Sequence, residues 1–461
     1  MNVSVVLFTA DLRLHDHPPL RAALDGSRQV VPLFVRDPAV DRAGFAVPNR
    51  LAFLADCLRD LDAGLRERGG RLVVRSGDVV EQVAKVAAET GADEVHLAAD
   101  VSAHAHRREE RLRRALVGQG MGLHVHDTVT TAVSPGVLAP AGSDHFTVFT
   151  PYFRHWSRQR LRDAVDAPRV VRVPDGVGSE PLPSRTGITG LSPGLATGGA
   201  SEGRRQLAAW LRAGVAAYED RHDDLAGDAT SRLSPHLHFG TLSPVELVHR
   251  ARRAGGPGAE AFVRQLAWRD FNRQVLAARP AAASVDYRAR HDRWRSAPEE
   301  VEAWREGRTG YPVIDAAMRQ LRHEGWMHNR GRLLTASFLT KTLYVDWRVG
   351  ARHFLDLLVD GDMANNQLNW QWVAGTGTDT RPNRILNPVT QAKRYDPEGE
   401  YVRRWVPELA DVARSAVHEP WKLEGLDRAA LDYPEPIVEL SAGRERFLRG
   451  RKPWTGRTAR P

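Results

Sequence analysis

Short apolar runs alternate with helical patterns in the first part of the chain. The runs cover 3–10, 30–35, 71–77, 94–100 and 122–127, and apolar residues recur at helical spacing over 48–68 and 103–117. Strands that alternate with helices are typical of βαβ units, and therefore of a doubly wound parallel sheet. Such sheets bind ligands beyond the carboxyl ends of their strands. The pattern predicts a Rossmann-like α/β domain.

The alternation stops after residue 127. Residues 174–203, PDGVGSEPLPSRTGITGLSPGLATGGASEG, are rich in Pro, Gly and Ser and show no periodicity, which is typical of a connection that runs over the surface. From about residue 204 onward, the patterns are helical. We therefore expect an α/β domain over 1–127, an interdomain linker over 128–203 and an all-helical domain over 204–461.

Charge is distributed unevenly along the chain. The net charge is +8, yet residues 1–127 carry 17 Lys+Arg against 18 Asp+Glu, which leaves 48 against 39 for the remainder. A polyanionic partner is therefore expected to bind the C-terminal part, although an Arg-rich solvated surface would give the same counts. No apolar run approaches the roughly 18 residues that span a membrane, and the start predicts a strand rather than a signal peptide. We expect a cytoplasmic monomer.

Several common sites are excluded by the sequence. No GxGxxG follows the first strand and no GxxxxGK[ST] occurs, so the sheet has no ordinary dinucleotide or triphosphate motif. The single cysteine, Cys57, excludes an intrachain disulfide and a Cys-based zinc site. His-x-His pairs include His104 with His106, His124 with His126, and His236 with His238. No carboxylate or cysteine is spaced to complete a metal site, so we predict none.

Residues 360–378, DGDMANNQLNWQWVAGTGT, concentrate unusual polar and aromatic residues. Two aspartates flank Gly361, which predicts a turn that leads into a helix. Trp370 and Trp372 lie about 200° apart on a helix, so one can face an interior and the other an opening. A capped helix with two core tryptophans would explain the stretch. The alternative is a redox site, with an amide hydrogen-bonded to a flavin and an oxidisable Trp beside it.

Other motifs favour the second interpretation. They are FTADLRLHDHPPL (8–20), FTVFTPYFRHW (146–156), TSRLSPHLHFG (230–240), EAFVRQLAWRDFNRQVL (260–276) and YPVIDAAMRQLRHEGWMHNRGRLLTASFL (311–339). Together with DGD, WQW and TGTD, they resemble the photolyase/cryptochrome family over nearly the whole chain. The resemblance implies FAD as cofactor, an antenna chromophore in the first domain and UV-damaged DNA containing pyrimidine dimers as the partner.

The resemblance places FAD in the helical domain and not on the sheet. A helix start with hydroxyls and free N–H groups suits a phosphate, and the 230–234 run together with Tyr218 matches the family's pyrophosphate site. Arg332 is expected to pair with Asp360 near the flavin ring. The implied FAD-binding residues are Tyr218, Thr230, Ser231, Arg232, Leu233, Ser234, Arg269, Arg332, Asp360, Gly361, Asp362 and Asn366.

The resemblance also implies light-driven repair, in which excited reduced FAD passes an electron to a cyclobutane dimer flipped out of the duplex. Asn366 matches the family's partner of the flavin N5. Trp370, Trp347 and Trp294 match its electron-transfer chain, although each alone could be a core residue. The implied catalytic residues are these four and Gln265. The implied DNA-binding residues are Gln265, Trp268, Asn329, Arg330 and Trp372.

An antenna pocket is implied in the first domain, at Phe34, Arg36, Arg50, Leu54 and Asp100. Residues 47–61, VPNRLAFLADCLRDL, resemble the branch that binds 8-hydroxy-5-deazaflavin more than the branch that binds methenyltetrahydrofolate. A surface pair or a helix cap would explain Arg50 and Asp100 equally well.

Gln265 departs from the expected pattern. Photolyases for cyclobutane dimers usually carry Glu at this position, whereas (6-4) photolyases and animal cryptochromes carry Gln. Asn329 and Arg330 instead match dimer photolyases. We therefore expect a class I dimer photolyase, with a (6-4) photolyase and a non-repairing cryptochrome as the alternatives.

Overall fold

The computed structural model of the chain describes residues 2–413 and 416–451. Its N-terminal part contains one five-stranded sheet in the order β3-β2-β1-β4-β5. All four pairings between neighbouring strands are parallel, which confirms the predicted sheet. The strands are β1 (Val3–Phe8), β2 (Gln29–Arg36), β3 (Val73–Ser76), β4 (Glu94–Ala98) and β5 (Gly122–His126).

Helices cover both faces of this sheet. They are α1 (Pro18–Gly26), α2 (Pro38–Arg42), α3 (Pro48–Arg66), α4 (Val79–Thr90) and α5 (Ala103–Val117). Alternate residues of β1 point to opposite faces, so Val6 and Phe8 pack with α1 and α3, while Val5 and Leu7 pack with α4 and α5. Both faces are therefore buried, which explains the continuous apolar runs.

The connection after β5 is irregular for most of its length. It contains α6 (Phe149–Trp156), and the next helix begins at Ala200. Parts of it pack against the sheet domain: Val171 is fully buried, and the Asn49 amide nitrogen donates to the Ser192 hydroxyl over 2.9 Å. Parts of the connection therefore run against the first domain.

The C-terminal part is helical throughout the described residues, which confirms the second half of the predicted fold. Its helices are α7 (Ala200–Ala213), α8 (Tyr218–Arg221), α9 (Ser234–His238), α10 (Pro244–Ala254), α11 (Pro257–Ala278), α12 (Pro298–Glu306), α13 (Pro312–Glu324), α14 (Asn329–Ser337), α15 (Trp347–Leu357), α16 (Met363–Ala374), α17 (Pro388–Tyr395), α18 (Glu400–Trp405), α19 (Gly425–Ala429) and α20 (Leu440–Gly450). None of the helices in the described ranges is long and apolar enough to cross a membrane. The last ten residues of the predicted third segment lie outside the described residues.

Buried arginines join the sheet to the helical part. Arg13 donates to the carbonyl of Gly240 over 2.8 Å, and Arg50 donates to the carbonyls of Leu355 and Leu358 over 2.5 and 2.8 Å. Gly240 has φ +65°, and a Cβ there would lie 2.0 Å from the carbonyl oxygen of Ala10. This close approach between the two domains therefore requires glycine.

Candidate flavin and DNA site

A cavity of about 480 Å³ lies between the two hydrophobic cores of the helical part. Helices α8, α9 and α11 form one wall, and α14, α15 and α16 form the other. Many of the predicted site residues line it together, although they are far apart in sequence. They are Tyr218, Ser231, Ser234, Gln265, Trp268, Arg269, Asn329, Arg330, Arg332, Asp360, Asp362, Asn366, Trp370 and Trp372.

The two aspartates at the start of α16 have different partners. The Arg332 guanidinium donates to Asp360 Oδ2 over 2.8 Å, which confirms the expected pair. Asp360 Oδ1 is buried and has no hydrogen-bond partner in the described structure. Gly361 does not line the cavity; its missing side chain leaves room for Arg50, because a Cβ there would lie 2.7 Å from Arg50 Nη1. Asp360 thus keeps one acceptor for a ligand.

Asp362 caps α16 and is held by arginines. Its Oδ1 accepts from the Asn365 backbone N–H over 2.8 Å, and Arg273 donates to its Oδ2. Burial alone would raise the pKa of this carboxyl, but Arg273 and Arg269 hold the pKa far below its ordinary value. Asp362 is therefore a buried anion at neutral pH.

Arg269 and Arg273, both on α11, make further hydrogen bonds outside Asp362. Arg269 donates to the carbonyl of Leu237 over 2.9 Å and to that of Thr130, and burial lowers its pKa to about 10. Arg273 also donates to Asp100 Oδ1 over 3.1 Å. Arg273 therefore links the end of β4 to the start of α16, a role that the sequence analysis missed. Its spacing of four residues from Arg269, on one helix face, is the signal that could have found it.

Asn366 is oriented by two hydrogen bonds, one to α15 and one to its neighbour on α16. Its amide nitrogen donates to the carbonyl of Ala351 over 3.0 Å and to Gln367 Oε1 over 3.1 Å. The nitrogen is thereby occupied, and the residue lines the cavity. The amide oxygen is therefore the atom that is available to accept a hydrogen bond there.

Only some residues of the hydroxyl-rich turn before α9 line the cavity. Ser231 and Ser234 line the cavity, and the indole N–H of Trp326 donates to the Ser234 hydroxyl over 3.1 Å. Thr230 Oγ1 is buried without a partner in the described residues. Arg232 points elsewhere, to Asp228 and Glu324, while Leu233 is buried in the core of this wall. The turn therefore offers hydroxyls, but not the Arg232 cation, to the cavity.

The three predicted redox tryptophans belong to one hydrophobic core, and Trp370 alone of them lines the cavity. Trp370 lines the cavity and contacts Phe354 edge-to-face at 4.9 Å between ring centroids. Trp347 begins α15 and is completely buried, with its indole N–H donating to Asp286 over 2.8 Å. Trp294 is partly exposed. Trp304, which the sequence analysis did not single out, also contacts Trp370 edge-to-face at 6.1 Å.

The mouth of the cavity combines aromatic and polar side chains. Trp268 stacks on Phe149 with ring centroids 3.7 Å apart, and Trp372 is half-buried. Gln265 and Asn329 are exposed at the rim. Arg330 pairs with Asp223 and lies over the ring of Tyr395 at 4.3 Å. Its guanidinium is therefore engaged by protein groups.

The predicted antenna residues have different surroundings in the described structure. Phe34 is buried and Leu54 is half-buried in the same core, whereas Arg36 is exposed and bonded to Ser76. Arg50 and Asp100 do not contact each other; they contact the helical part through Leu355, Leu358 and Arg273, as described above. Arg50 Nη2 is nevertheless buried without a partner in the described residues.

The cavity fits a large cofactor that carries both rings and phosphates. Its walls include the aromatic or apolar side chains of Phe262, Trp326 and Leu333. Asp360 offers a buried acceptor oxygen without a partner, and Ser234 lines the cavity with a hydroxyl. Such a combination of apolar walls and a few convergent polar groups is typical of a cofactor site, and the residues fit FAD.

Comparisons with known proteins agree with this geometry. Residues 262–452 match the FAD binding domain of DNA photolyase, and residues 4–170 match DNA photolyase. The chain is 69% identical to a deoxyribodipyrimidine photo-lyase of Streptomyces griseus, over 98% of this chain and 99% of that one. It is 36% identical to the enzyme of that name from Escherichia coli, over 97% and 98% of the two chains. A crystal structure of a class III photolyase from Agrobacterium tumefaciens superposes with a TM-score of 0.92 at 32% identity, covering 98% and 97%.

Proposed function

Because the chain belongs to the photolyase/cryptochrome family, we propose that it is a deoxyribodipyrimidine photo-lyase, a light-driven DNA repair enzyme that splits cyclobutane pyrimidine dimers. The observation that carries the proposal is the cavity wall formed by α16. Asn366, Trp370 and Trp372 lie on this one helix and all line the cavity, next to the Asp360–Arg332 pair. An amide, an oxidisable ring and a stacking surface are thus presented to one ligand space.

Bound FAD in its reduced form would supply, on excitation by light, the electron that cleaves the dimer. Asn366 would hold its amide oxygen toward the ring as a neutral acceptor, since its nitrogen is fixed by the Ala351 carbonyl. Arg332 orients Asp360, whose free Oδ1 would accept from a ring N–H. Ser231 and Ser234 would donate to the phosphates.

The tryptophans would carry electrons between the surface and the cavity. Trp370 lies at the cavity, Trp347 is completely buried and Trp294 is partly exposed. An oxidised indole is stabilised by nearby acceptors, and the Trp347 N–H already donates to the carboxylate of Asp286. This order supports a route from the surface to the cavity, which restores the cofactor to its reduced form.

The rim of the cavity supports recognition of a pyrimidine dimer that has been flipped out of the duplex. Trp268 has Phe149 on one ring face, so its other face would stack on a base, a contact worth about 1–3 kcal/mol. Trp372 would provide a second stacking surface, and Gln265 and Asn329 would donate to base edges. Arg330 could contact a phosphate only by leaving Asp223.

Finer assignments belong to the same proposal. We place the chain in class I with an 8-hydroxy-5-deazaflavin antenna, and methenyltetrahydrofolate is the alternative antenna. The buried, unpartnered Arg50 Nη2 supports a polar ligand near α3. Reconstitution with each chromophore, followed by its absorption and by energy transfer to FAD, would separate the two. The boundaries at 127 and 203, the monomeric state and the cytoplasmic location stay predictions.

Repair of defined lesions tests the function. The reduced, FAD-loaded protein is illuminated with blue light in the presence of oligonucleotides that carry either one cyclobutane dimer or one (6-4) photoproduct. We expect light-dependent loss of the cyclobutane lesion alone. Repair of the (6-4) lesion alone would replace the proposal by the alternative that Gln265 favours. Repair of neither lesion by protein that holds FAD would indicate a non-repairing cryptochrome.

Replacement of one tryptophan separates the electron route from repair. Trp347→Phe should abolish photoreduction of oxidised FAD, while protein reduced beforehand with dithionite repairs dimers at the parent rate. Trp405→Phe is the matched control, because Trp405 packs against His323 and does not line the cavity. Normal photoreduction in Trp347→Phe would remove this residue from the route without affecting the repair assignment.

A further inference from the structure

Two histidines and a glutamate converge on one face of the sheet, at the β4–β5 edge. Glu94 and His96 are alternate residues of β4, and His96 is paired in register with His124 of β5. All three therefore face the same side. One ligand atom from each side chain lies within 4.8 Å of the other two. None of them lines the cavity described above.

The Glu94 carboxylate lies against both imidazoles. His96 Nε2 is 3.3 Å from Oε2 and His124 Nε2 is 3.4 Å from Oε1. The two rings stack with centroids 4.7 Å apart. Ligand atoms bound to one tetrahedral zinc ion, with bonds of about 2.0–2.2 Å, are about 3.3 Å from each other. Each imidazole nitrogen is thus already at about this spacing from one of the two carboxylate oxygens.

A fourth side chain orients the buried member of the group. His96 is 4% exposed, and its Nδ1 lies 3.0 Å from Nε2 of His126. When Nδ1–H donates to His126, the lone pair of His96 Nε2 faces Glu94. Metal-binding histidines commonly donate their second ring N–H to a fixed acceptor in this way.

The neighbouring strand position leaves room for an ion. Gly122 is opposite Glu94 in the register. A Cβ at this position would lie 3.3 Å from His124 Nε2 and 3.5 Å from Glu94 Cγ. The side chains of Glu94 and His124 are 40% and 47% exposed. They can therefore rotate to close the ligand set, and water can reach the remaining coordination positions.

We propose that Glu94, His96 and His124 bind one divalent transition-metal ion of the zinc, cobalt or nickel type. Two imidazole nitrogens and one carboxylate oxygen suit these ions, whereas magnesium and calcium prefer oxygen ligands alone. The ion would fasten the edge strand β5 to β4. The site is independent of the proposed function, because it uses no residue of the cavity. The alternative is a metal-free group, in which each imidazole donates Nε2–H to Glu94.

Metal titration decides between these two states. Full-length protein without a purification tag is stripped with a chelator and titrated with Co²⁺, whose visible absorption reports its ligands, and with Zn²⁺ in competition with a chromophoric chelator. We expect one equivalent bound with micromolar affinity or tighter. Glu94→Gln and His124→Asn should each weaken Zn²⁺ binding at least about tenfold, and His126→Asn about 10–100-fold. His104→Asn, on α5, is the matched control and should bind as the parent does.

One further variant tests the space without removing a ligand. Gly122→Val should weaken Zn²⁺ binding, because its side chain would enter the position between His124 and Glu94, and its circular dichroism should match that of the parent. Parent affinity in both Glu94→Gln and His124→Asn would overturn the proposal. So would the absence of stoichiometric Co²⁺ or Zn²⁺ binding by the parent at micromolar concentrations.

Discussion

Buried charged side chains lie both at the carboxyl edge of the sheet and at the helical cavity, but the two regions differ in whether protein groups satisfy their hydrogen bonds. At the sheet edge, Arg13 donates to three backbone carbonyls and Asp16 accepts from Arg162, Ser243 and a backbone N–H. At the cavity, Asp360 keeps an oxygen without a partner. Charged groups whose hydrogen bonds are satisfied within the protein hold the two domains together. The buried oxygen of Asp360 that has no partner lies instead at the ligand space. Substitution of a group whose partners are all protein groups should therefore change stability, and substitution of a group without a protein partner should change ligand binding.

The largest expected effect is on Asp362, whose bonds are completed within the protein. Asp362→Asn would leave Arg273 and Arg269 buried beside an uncharged group. The loss of one partner of such a buried pair costs about 3–5 kcal/mol of unfolding free energy. Urea unfolding of the protein without cofactor measures it.

A second helix-capping aspartate provides the control for this change. Asp346 caps α15 and pairs with Arg348, but its side chain is 30% exposed. Asp346→Asn should therefore cost less than about 1 kcal/mol. Equal losses of unfolding free energy in the two variants would contradict the distinction between a buried, fully paired carboxylate and an exposed ion pair.

The second effect concerns the pH dependence of the unfolding free energy, through a histidine at the contact between the two domains. His236 is 1% exposed, lies edge-to-face with Phe53 of α3 at 5.3 Å, and bonds to the Thr241 hydroxyl over 2.9 Å. Burial lowers its pKa to about 4 from an unfolded value of about 6.5. The unfolded chain therefore takes up a proton first. The unfolding free energy should be highest above pH 6.5 and fall by up to about 3 kcal/mol as the pH drops to 4.

The slope of that pH dependence is the measurement. Unfolding free energies between pH 7 and pH 4.5 should decline less steeply in His236→Gln than in the parent. His106→Gln changes an exposed histidine of α5 and should leave the slope as it is. An unchanged slope in His236→Gln would show that other groups cause the acid sensitivity.

The parallel sheet and the helical second half follow from the sequence because both depend on periodic burial. Helices α1, α2 and α4 were not predicted, since each is shorter than the two predicted helices of this domain, α3 and α5. The pairing of Arg332 with Asp360 was predicted through family resemblance. The link from Arg273 to Asp100 and Asp362, and the meeting of Glu94 with His124, were not, because strand register and domain contact create them. Contacts between distant segments leave no local pattern.

The third effect should appear in binding to damaged DNA. Trp268→Ala would remove a stacking surface at the open rim, and should weaken binding to dimer-containing DNA by about 1–3 kcal/mol, which is about 5–150-fold in Kd. Fluorescence anisotropy at constant salt, with damaged and undamaged duplexes, measures it. The affinity for undamaged DNA should change little. A uniform loss on both duplexes would show that Trp268 supports the fold and not the lesion. Trp405→Ala serves as the control away from the cavity.

The smallest effect is expected at Gln265, the most open of the polar groups at the rim. Its side chain is exposed and has no hydrogen-bond partner recorded among the described residues, so Gln265→Glu should leave the unfolding free energy nearly unchanged. Both side chains accept hydrogen bonds, but a protonated Glu can also supply a proton. Repair of the cyclobutane lesion should therefore be maintained or improved in Gln265→Glu, measured as dimers split per absorbed photon. Gln265→Leu, of similar size, should bind the lesion more weakly because it can form no hydrogen bond. Complete loss of repair in Gln265→Glu would mean that the Gln265 amide N–H donates a hydrogen bond that recognition of the lesion requires. The rim would then recognise its lesion through a donor that an ionised carboxylate cannot provide.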